Sequence, residues 1–210
     1  LLTKWSDIVT NVDMFVSDEK IQERRAILRE CLTYFSRLWH ERANAPPKFD
    51  FISLLAHNPD TKDMINNPME LLGNLILLIV GGNDTTRNSI SGGVIGLNQF
   101  PEEFAKLKAN PALIPNMVSE IIRWQTPLAH MRRTALQDHD LFGHDIKKDD
   151  KMILWYISAN RDESVFPNAD KLIVDRENAR RHLAFGYGIH RCVGARLAEL
   201  QIRILLEEMH

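Results

Sequence analysis

The stretch HLAFGYGIHRCVGARLAEL, His182–Leu200, decides how the whole chain is interpreted. It holds one of only two cysteines, Cys192, behind a glycine-rich aromatic loop. A helix is predicted directly after Cys192, with an apolar face made by Val193, Leu197, Leu200 and Ile204. The unpaired N–H groups and partial positive charge at a helix N-terminus favour a thiolate over a thiol. A thiolate in this position is a candidate nucleophile or metal ligand.

Four interpretations of Cys192 follow from the residues alone. Free cysteine is among the most buried residue types, so it could simply be a small buried residue at a tight helix start. Zinc is disfavoured because paired Cys-x-x-Cys or His-x-x-x-His spacings do not surround the site. A Cys–His nucleophile pair would use His190, whose position on a turn gives no assured geometry. Heme iron with one axial thiolate needs only the one cysteine that the loop offers.

Composition limits the class of protein. The 210 residues are 44% hydrophobic and 26% charged, which is typical of a globular chain with one large core or two smaller ones. A net charge of -2 gives no global reason to expect nucleic acid or an anionic membrane as partner. Two cysteines are too few for a disulfide scaffold, so a cytoplasmic location is expected.

Two further expectations come from the start of the chain and from its most apolar run. The chain starts at Leu1 without a methionine or a signal-peptide pattern, so we expect a fragment. The run Leu71–Val80 has 10 residues against the ~20 needed to cross a bilayer, which predicts a core helix and no membrane span.

Periodicity predicts a mainly helical chain with small β-sheets. One helix begins after a Ser17 cap and stops before Pro46, a long one runs from about Pro68 to Phe100, and another lies between Pro111 and Pro127. Alternating segments on either side of Phe142-Gly143-His144, between Thr134 and Ile157, predict a hairpin.

The segment FGYGIHRCVGARLA, Phe185–Ala198, resembles the heme-binding signature F-G-x-G-x-H-x-C-x-G-x-x-L-A of the cytochrome P450 family at every fixed position. The resemblance implies the C-terminal portion of the cytochrome P450 fold, truncated at both ends. Residues 1–210 would then be a partial catalytic domain, a single domain whose N-terminal part is missing. It also implies heme b (iron protoporphyrin IX) with Cys192 as axial thiolate, beside the cofactor-binding residues Phe185 and Gly186.

A second motif is GGNDTT, Gly81–Thr86. Taken alone, it could be a helix end at the glycines, with Asp84 capping a new helix. It also resembles the family's acid–alcohol motif on the distal side of the heme, where small residues make room for dioxygen. That resemblance implies that Asp84 and Thr85 are catalytic and bring protons and ordered water to the reaction.

The third motif is EIIR, in which Glu120 and Arg123 lie on one helix face. An ordinary exposed pair of this kind contributes only ~0.2 to 0.5 kcal/mol. The resemblance implies instead the family's Glu-x-x-Arg element, buried and completed by an upstream arginine with a structural role. Arg176 is our choice for that arginine, with Arg180 and Arg181 as alternatives.

Further roles come from the same resemblance. Arg132, or else Arg133, and His190 would offset the heme propionates. Positions that would face substrate, with ordinary core as the alternative, are Leu77, Val80, Gly81 and Leu128.

Several stretches are similar to the bacterial alkane hydroxylases that oxidise the terminal methyl of medium-chain alkanes. They are GGNDTTRNSISGG, MVSEIIRWQTPLAHMRRTAL and GIHRCVGARLAELQIRILLEEM. This similarity implies an oxidoreductase, a monooxygenase that inserts one oxygen atom from dioxygen into an aliphatic C–H bond. Electrons would come from a ferredoxin and its NAD(P)H-dependent ferredoxin reductase, with Arg191, Arg196 and Arg203 expected to steer docking.

Other functions stay open beside this one. A fatty-acid or terpene hydroxylase of the same family is the alternative within the class. From other classes, a non-catalytic heme-binding sensor or a zinc-binding or purely structural domain is possible.

Overall fold

A computed structural model describes residues 1–209, and they are mainly helical, as the periodicity predicts. The α-helices are α1 (Leu2–Thr10), α2 (Asp18–Ala43), α3 (Phe51–His57), α4 (Pro68–Gln99), α5 (Pro101–Ala109), α6 (Ile114–Gln125), α7 (Tyr156–Ala159) and α8 (Ala195–Glu208). The strands are β1 (His130–Thr134), β2 (His139–Leu141), β3 (His144–Ile146) and β4 (Lys151–Trp155). Short 3-10 turns occur at Val12–Phe15, Lys62–Asn66, Pro111–Leu113, Ala179–Arg181 and Gly188–His190.

The strands form two small antiparallel sheets. In the first, β1 pairs with β4, and His130 stands opposite Trp155. In the second, β2 pairs with β3 across a turn where Phe142 and Gly143 have φ of 53° and 82°. Two consecutive positive φ angles match a hairpin turn whose twist fits the strands. The predicted hairpin is confirmed.

One helix cap expected from the sequence is present in the structure, and one helix end considered as an alternative is absent. The Ser17 side chain accepts a hydrogen bond of 3.3 Å from the Lys20 N–H and caps α2, as predicted. Helix α4 continues without interruption through Gly81 and Gly82. The alternative in which the helix ends at these glycines and Asp84 caps a new one is therefore wrong.

The chain forms two compact units, Leu1–Asp84 and Thr85–His210. The core of the first unit lies between α1, α2, α3 and the first half of α4. Its buried apolar residues are Trp5, Cys31, Phe35, Trp39, Ile52, Ala56, Leu71 and Leu75. Trp5 packs at a tilt against both Tyr34 and Phe35, with ring centroids 5.7 and 5.8 Å away.

The second unit is built around α6, whose buried positions run almost continuously from Ile114 to Arg123. Its buried apolar residues are Leu97, Leu107, Ile114, Met117, Val118, Ile121, Ile122, Leu172, Val174, Ala184, Ile202 and Leu206. Glycines let α4 come close to this core. A Cβ added to Gly93 would lie 2.8 Å from Ile121 Cδ1, and one added to Gly96 would lie 2.7 Å from Leu172 Cδ1.

None of the helices described in residues 1–209 combines the length and the apolar character needed to cross a membrane.

Candidate functional site

The Glu120–Arg123 pair lies in the centre of the second unit. Both side chains are fully buried, and the guanidinium binds the carboxylate through two hydrogen bonds, Nε to Oε2 at 2.7 Å and Nη2 to Oε1 at 2.9 Å. The remaining donors of Arg123 bind backbone carbonyls of Asn160, Ala169 and Lys171 at 2.7 to 2.9 Å. A buried guanidinium whose donors are all hydrogen-bonded is held in one position, because each lost hydrogen bond would leave a desolvated polar group.

Arg176 is the third member of this cluster. Its Nε donates to Glu120 Oε1 at 3.0 Å, and its Nη atoms donate to the carbonyls of Pro167, Asn168 and Lys171. Of the three arginines considered from the sequence, Arg176 is buried, whereas Arg180 and Arg181 are exposed. The structure therefore brings together Glu120, Arg123 and Arg176.

Asn160 connects this cluster to the cysteine loop. Its Nδ2 donates to Thr126 Oγ1 at 2.9 Å, and its Oδ1 accepts the Leu183 N–H at 2.7 Å. Thr126 ends α6 with a left-handed φ of 42°. The sequence analysis missed both Asn160 and Thr126, and no motif marks them, since the contacts of Asn160 with Thr126, Leu183 and Arg123 span 23 to 37 residues.

The cysteine loop is closed by its own backbone. The Cys192 N–H donates to the Phe185 carbonyl at 2.9 Å, and the Gly186 N–H donates to the Leu183 carbonyl at 2.8 Å. Gly186 and Gly188 have φ of 70° and 73°, which L side chains rarely adopt. A Cβ on Gly186 would also lie 3.2 Å from Tyr156 Oη. These features hold a free and exposed Cys192 thiol three residues before α8.

The surroundings of Cys192 fit a flat apolar cofactor with a soft axial ligand. Tyr187, Ile189 and Val193 are 83%, 97% and 98% exposed in the same loop, and Leu197 on α8 is also exposed. Exposed apolar residues concentrated in one place indicate a binding surface. Heme bound through one thiolate matches this set of donor and apolar side chains.

Two residues expected beside the heme are polar and accessible. His190 is exposed in the loop, and Arg132 is exposed on β1, where it pairs with Ile153 of β4. Arg133, the alternative to Arg132, is half-buried and donates to the Arg132 carbonyl. Phe185 is half-buried and packs against the His182 ring, with centroids 5.4 Å apart.

His182 is a half-buried histidine that the sequence analysis did not single out. Its Nδ1 accepts the Ala184 N–H at 3.2 Å. Burial, with smaller contributions from the charges of Arg191 and Arg123, lowers the pKa of His182 to about 4. The ring is therefore neutral near pH 7 and supports the loop without carrying charge.

A basic depression of about 400 Å³ lies beside His182. Its arginines are Arg180, Arg191, Arg196 and Arg203, and Glu199 is the acidic residue among its lining side chains. Arg196 and Arg203 form ion pairs with Glu199 and Glu207 along α8. The guanidinium of Arg191 instead lies 6.0 Å from the centroid of the Phe185 ring.

The residues predicted on α4 belong to its middle. Leu77, Val80 and Gly81 share one helix face, with Leu77 exposed, Val80 half-buried, and no protein atom within 4 Å of a Cβ built on Gly81. Asp84 and Thr85 follow and are half-buried. Leu128, the other position expected to face substrate, is 38% exposed just after α6.

The apolar face predicted for the last helix is on its exposed side. Val193, Leu197, Leu200 and Ile204 are all exposed, and the buried side chains of α8 are Ala195, Ile202 and Leu206. The helix carries apolar residues on both sides, so periodicity identifies it without deciding which side packs against α6.

Comparison with known proteins agrees with this geometry. The family model Cytochrome P450 matches residues 15–209. Linalool 8-monooxygenase from Pseudomonas putida is 39% identical over 209 residues, covering 97% of this chain and 51% of its own length. The chain therefore belongs to the cytochrome P450 family, and it spans about half the length of this curated relative.

Solved structures give the same result. Cytochrome P450-153 from Novosphingobium aromaticivorans superposes with a TM-score of 0.92 at 57% identity, covering 100% of this chain and 51% of its own. CYP153D17 from Sphingomonas sp. PAMC 26605 gives a TM-score of 0.87 at 57% identity, covering 99% and 52%. The predicted fold class, the C-terminal portion of a cytochrome P450, is confirmed.

The buried cluster generates a prediction about stability. Arg176→Ala should lower the free energy of unfolding by about 3 to 5 kcal/mol, because Glu120 Oε1 and the carbonyls of Pro167 and Asn168 would lose their hydrogen-bond donor in the interior. Arg180→Ala, which changes an exposed arginine four residues away, should change it by about 0.5 kcal/mol or less. Urea unfolding of both variants is the measurement, and equal losses would contradict the assignment of Arg176 to the cluster.

Proposed function

We propose that the complete protein is a heme-thiolate monooxygenase that inserts one oxygen atom from dioxygen into an aliphatic C–H bond. The observation that carries the proposal is the exposed Cys192 thiol, held by a backbone-closed glycine loop among exposed apolar side chains. Membership of the cytochrome P450 family supports the same chemistry.

The cofactor is heme b, which supplies the redox-active iron that activates dioxygen when bound. Cys192 would hold the iron through its free and exposed thiol. Phe185 and Gly186 would form part of the loop beside the macrocycle. His190 and Arg132 would offset the charge of the propionates.

Asp84 and Thr85 deliver protons to the reaction. O–O bond cleavage needs a proton donor at a defined place and the exclusion of bulk water. A carboxylate and a hydroxyl in consecutive positions of α4 provide a relay and a final donor. The glycines at 81 and 82 leave the neighbouring helix surface without side-chain bulk.

The proposed substrate is a medium-chain alkane, oxidised at its terminal methyl. Resemblance of three long stretches to bacterial alkane hydroxylases supports this, and Leu77, Val80, Gly81 and Leu128 would supply apolar or small contacts. A terpene hydroxylase is the second candidate, favoured by the 39% identity to linalool 8-monooxygenase. Turnover of matched alkanes, fatty acids and terpenes separates the candidates.

The proposed electron donor is an acidic ferredoxin, reduced by an NAD(P)H-dependent ferredoxin reductase in the cytoplasm. Arg191, Arg196 and Arg203 line one depression together with Arg180, and this concentration of positive charge supports docking there.

The first test concerns the ligand. In the complete heme-loaded protein, the reduced carbon-monoxide complex should show the strongly red-shifted Soret band of thiolate ligation, and Cys192→Ala should abolish it. Cys31→Ala is the matched control, because burial raises the pKa of the Cys31 thiol to about 11 and keeps it protonated. A band that survives in Cys192→Ala, or is lost in Cys31→Ala, rejects Cys192 as the ligand.

The second test concerns proton delivery. Thr85→Ala should still bind heme and substrate and consume dioxygen and reducing equivalents, but hydrogen peroxide should rise as alcohol product falls. Asp84→Asn should slow the whole cycle, because it removes the relaying carboxylate. Both products are measured per reducing equivalent consumed. An unchanged ratio in Thr85→Ala would mean that Thr85 only packs or bonds within its helix, and an unchanged cycle rate in Asp84→Asn would reject the relay.

The third test concerns docking. Arg191→Glu should raise the Michaelis constant for ferredoxin, most strongly at low ionic strength, because salt screens the steering charge. Arg25→Glu, which reverses an exposed arginine on α2, controls for net charge. An unchanged Michaelis constant in Arg191→Glu, Arg196→Glu and Arg203→Glu would locate docking elsewhere.

A further inference from the structure

Ser6 lies outside every motif in the sequence, yet it contacts the proposed proton relay. It is fully buried on α1, and its Oγ donates a hydrogen bond to Asp84 Oδ2 on α4. Asp84 Oδ1 accepts a second hydrogen bond, from Asn83 Nδ2 at 3.2 Å. Each oxygen of the carboxylate is therefore bound by a different donor.

This arrangement restricts the orientation of the carboxylate. A partial rotation about the last side-chain bond of Asp84 would move both oxygens away from their donors. A hydrogen bond to a charged group is roughly twice as strong as one between neutral groups. Because Ser6 is buried, its hydroxyl would lose its partner without gaining water if the carboxylate turned away.

We propose that Ser6 is a positioning residue that fixes the Asp84 carboxylate for proton delivery. The proposal rests on the proposed role of Asp84. A serine is suited to this task, since its small side chain fits a buried position and its hydroxyl donates to the carboxylate.

A second buried serine shows the difference between positioning and ordinary structural use. Ser53 is as deeply buried as Ser6, but its Oγ accepts the Lys48 N–H at 2.8 Å and stabilises the entry to α3. Ser53→Ala is therefore the matched control, a variant with the same change in volume and burial that leaves Asp84 and its two donors intact.

The first experiment measures the contact without using catalysis. Hydrogen exchange of the α1 backbone amides is followed by mass spectrometry in the complete heme-loaded protein. Ser6→Ala and Asp84→Ala should each accelerate exchange about tenfold, from the loss of a hydrogen bond to a charged group. The double variant should exchange no faster than the faster single variant. Multiplied effects in the double variant, or no acceleration in Ser6→Ala, would overturn the contact.

The second experiment measures what the contact does. Ser6→Ala should slow consumption of reducing equivalents at least about threefold, in the same direction as Asp84→Asn, because the carboxylate would lose the donor that fixes its orientation. Ser6→Thr, which keeps the hydroxyl, should restore the rate, and Ser53→Ala should leave it at the wild-type value.

The outcomes separate this proposal from the proposed function. If Asp84→Asn slows the cycle while Ser6→Ala keeps the wild-type rate, the positioning role of Ser6 is wrong and the relay stands. If Asp84→Asn itself leaves the cycle unchanged, the relay fails and the role of Ser6 fails with it. A slowing in Ser53→Ala equal to that in Ser6→Ala would also reject positioning, because general destabilisation would then explain both.

Discussion

Two arginines share one carboxylate in the interior of the second unit, and much of that unit depends on how their charge is balanced. Glu120 offsets one positive charge, so the cluster of Glu120, Arg123 and Arg176 retains a net charge of about +1 away from water. Five backbone carbonyls provide the balance, those of Asn160, Pro167, Asn168, Ala169 and Lys171. Buried charges are tolerated only with this degree of satisfaction.

The same contacts explain how an irregular segment obtains a defined path. Between α7 and the turn at Ala179–Arg181, the chain forms neither helix nor strand in the part the structure describes. Its carbonyls cannot be satisfied by a ladder, so guanidinium donors take that role. Asn160, at the start of this segment, also binds Leu183, where the cysteine loop begins. The loop that carries Cys192 is thus linked to the charge cluster through Asn160.

Sequence reasoning succeeded where the signal is local and failed where it is not. The cap of α2, the hairpin at Phe142 and Gly143, and the uninterrupted motif from Phe185 to Ala198 are all fixed by neighbours within a few residues. The Ser6–Asp84 hydrogen bond joins residues 78 positions apart, and nothing near Ser6 distinguishes it from a solvent-facing serine. The apolar face of α8 that periodicity identifies is the exposed one, because both faces of that helix carry apolar residues.

The glycines of helix α4 show that the same residue type can have different roles at different positions of one helix. It contains six glycines, each of which costs a helix about 1 kcal/mol relative to alanine. Gly93 and Gly96 offset that cost by letting Ile121 and Leu172 pack where a Cβ would collide. A Cβ added to Gly73, Gly81 or Gly82 would have no neighbour within 4 Å outside its own turn of the helix. Packing within the described residues therefore does not require glycine at these positions. Alanine at Gly73 would break no contact within the described residues, whereas at Gly81 it would place a methyl group on the surface that we propose faces dioxygen and substrate. The free-energy cost of a glycine is about the same throughout the helix. Near the C-terminal end, core packing requires glycine, and in the middle the proposed chemistry requires it.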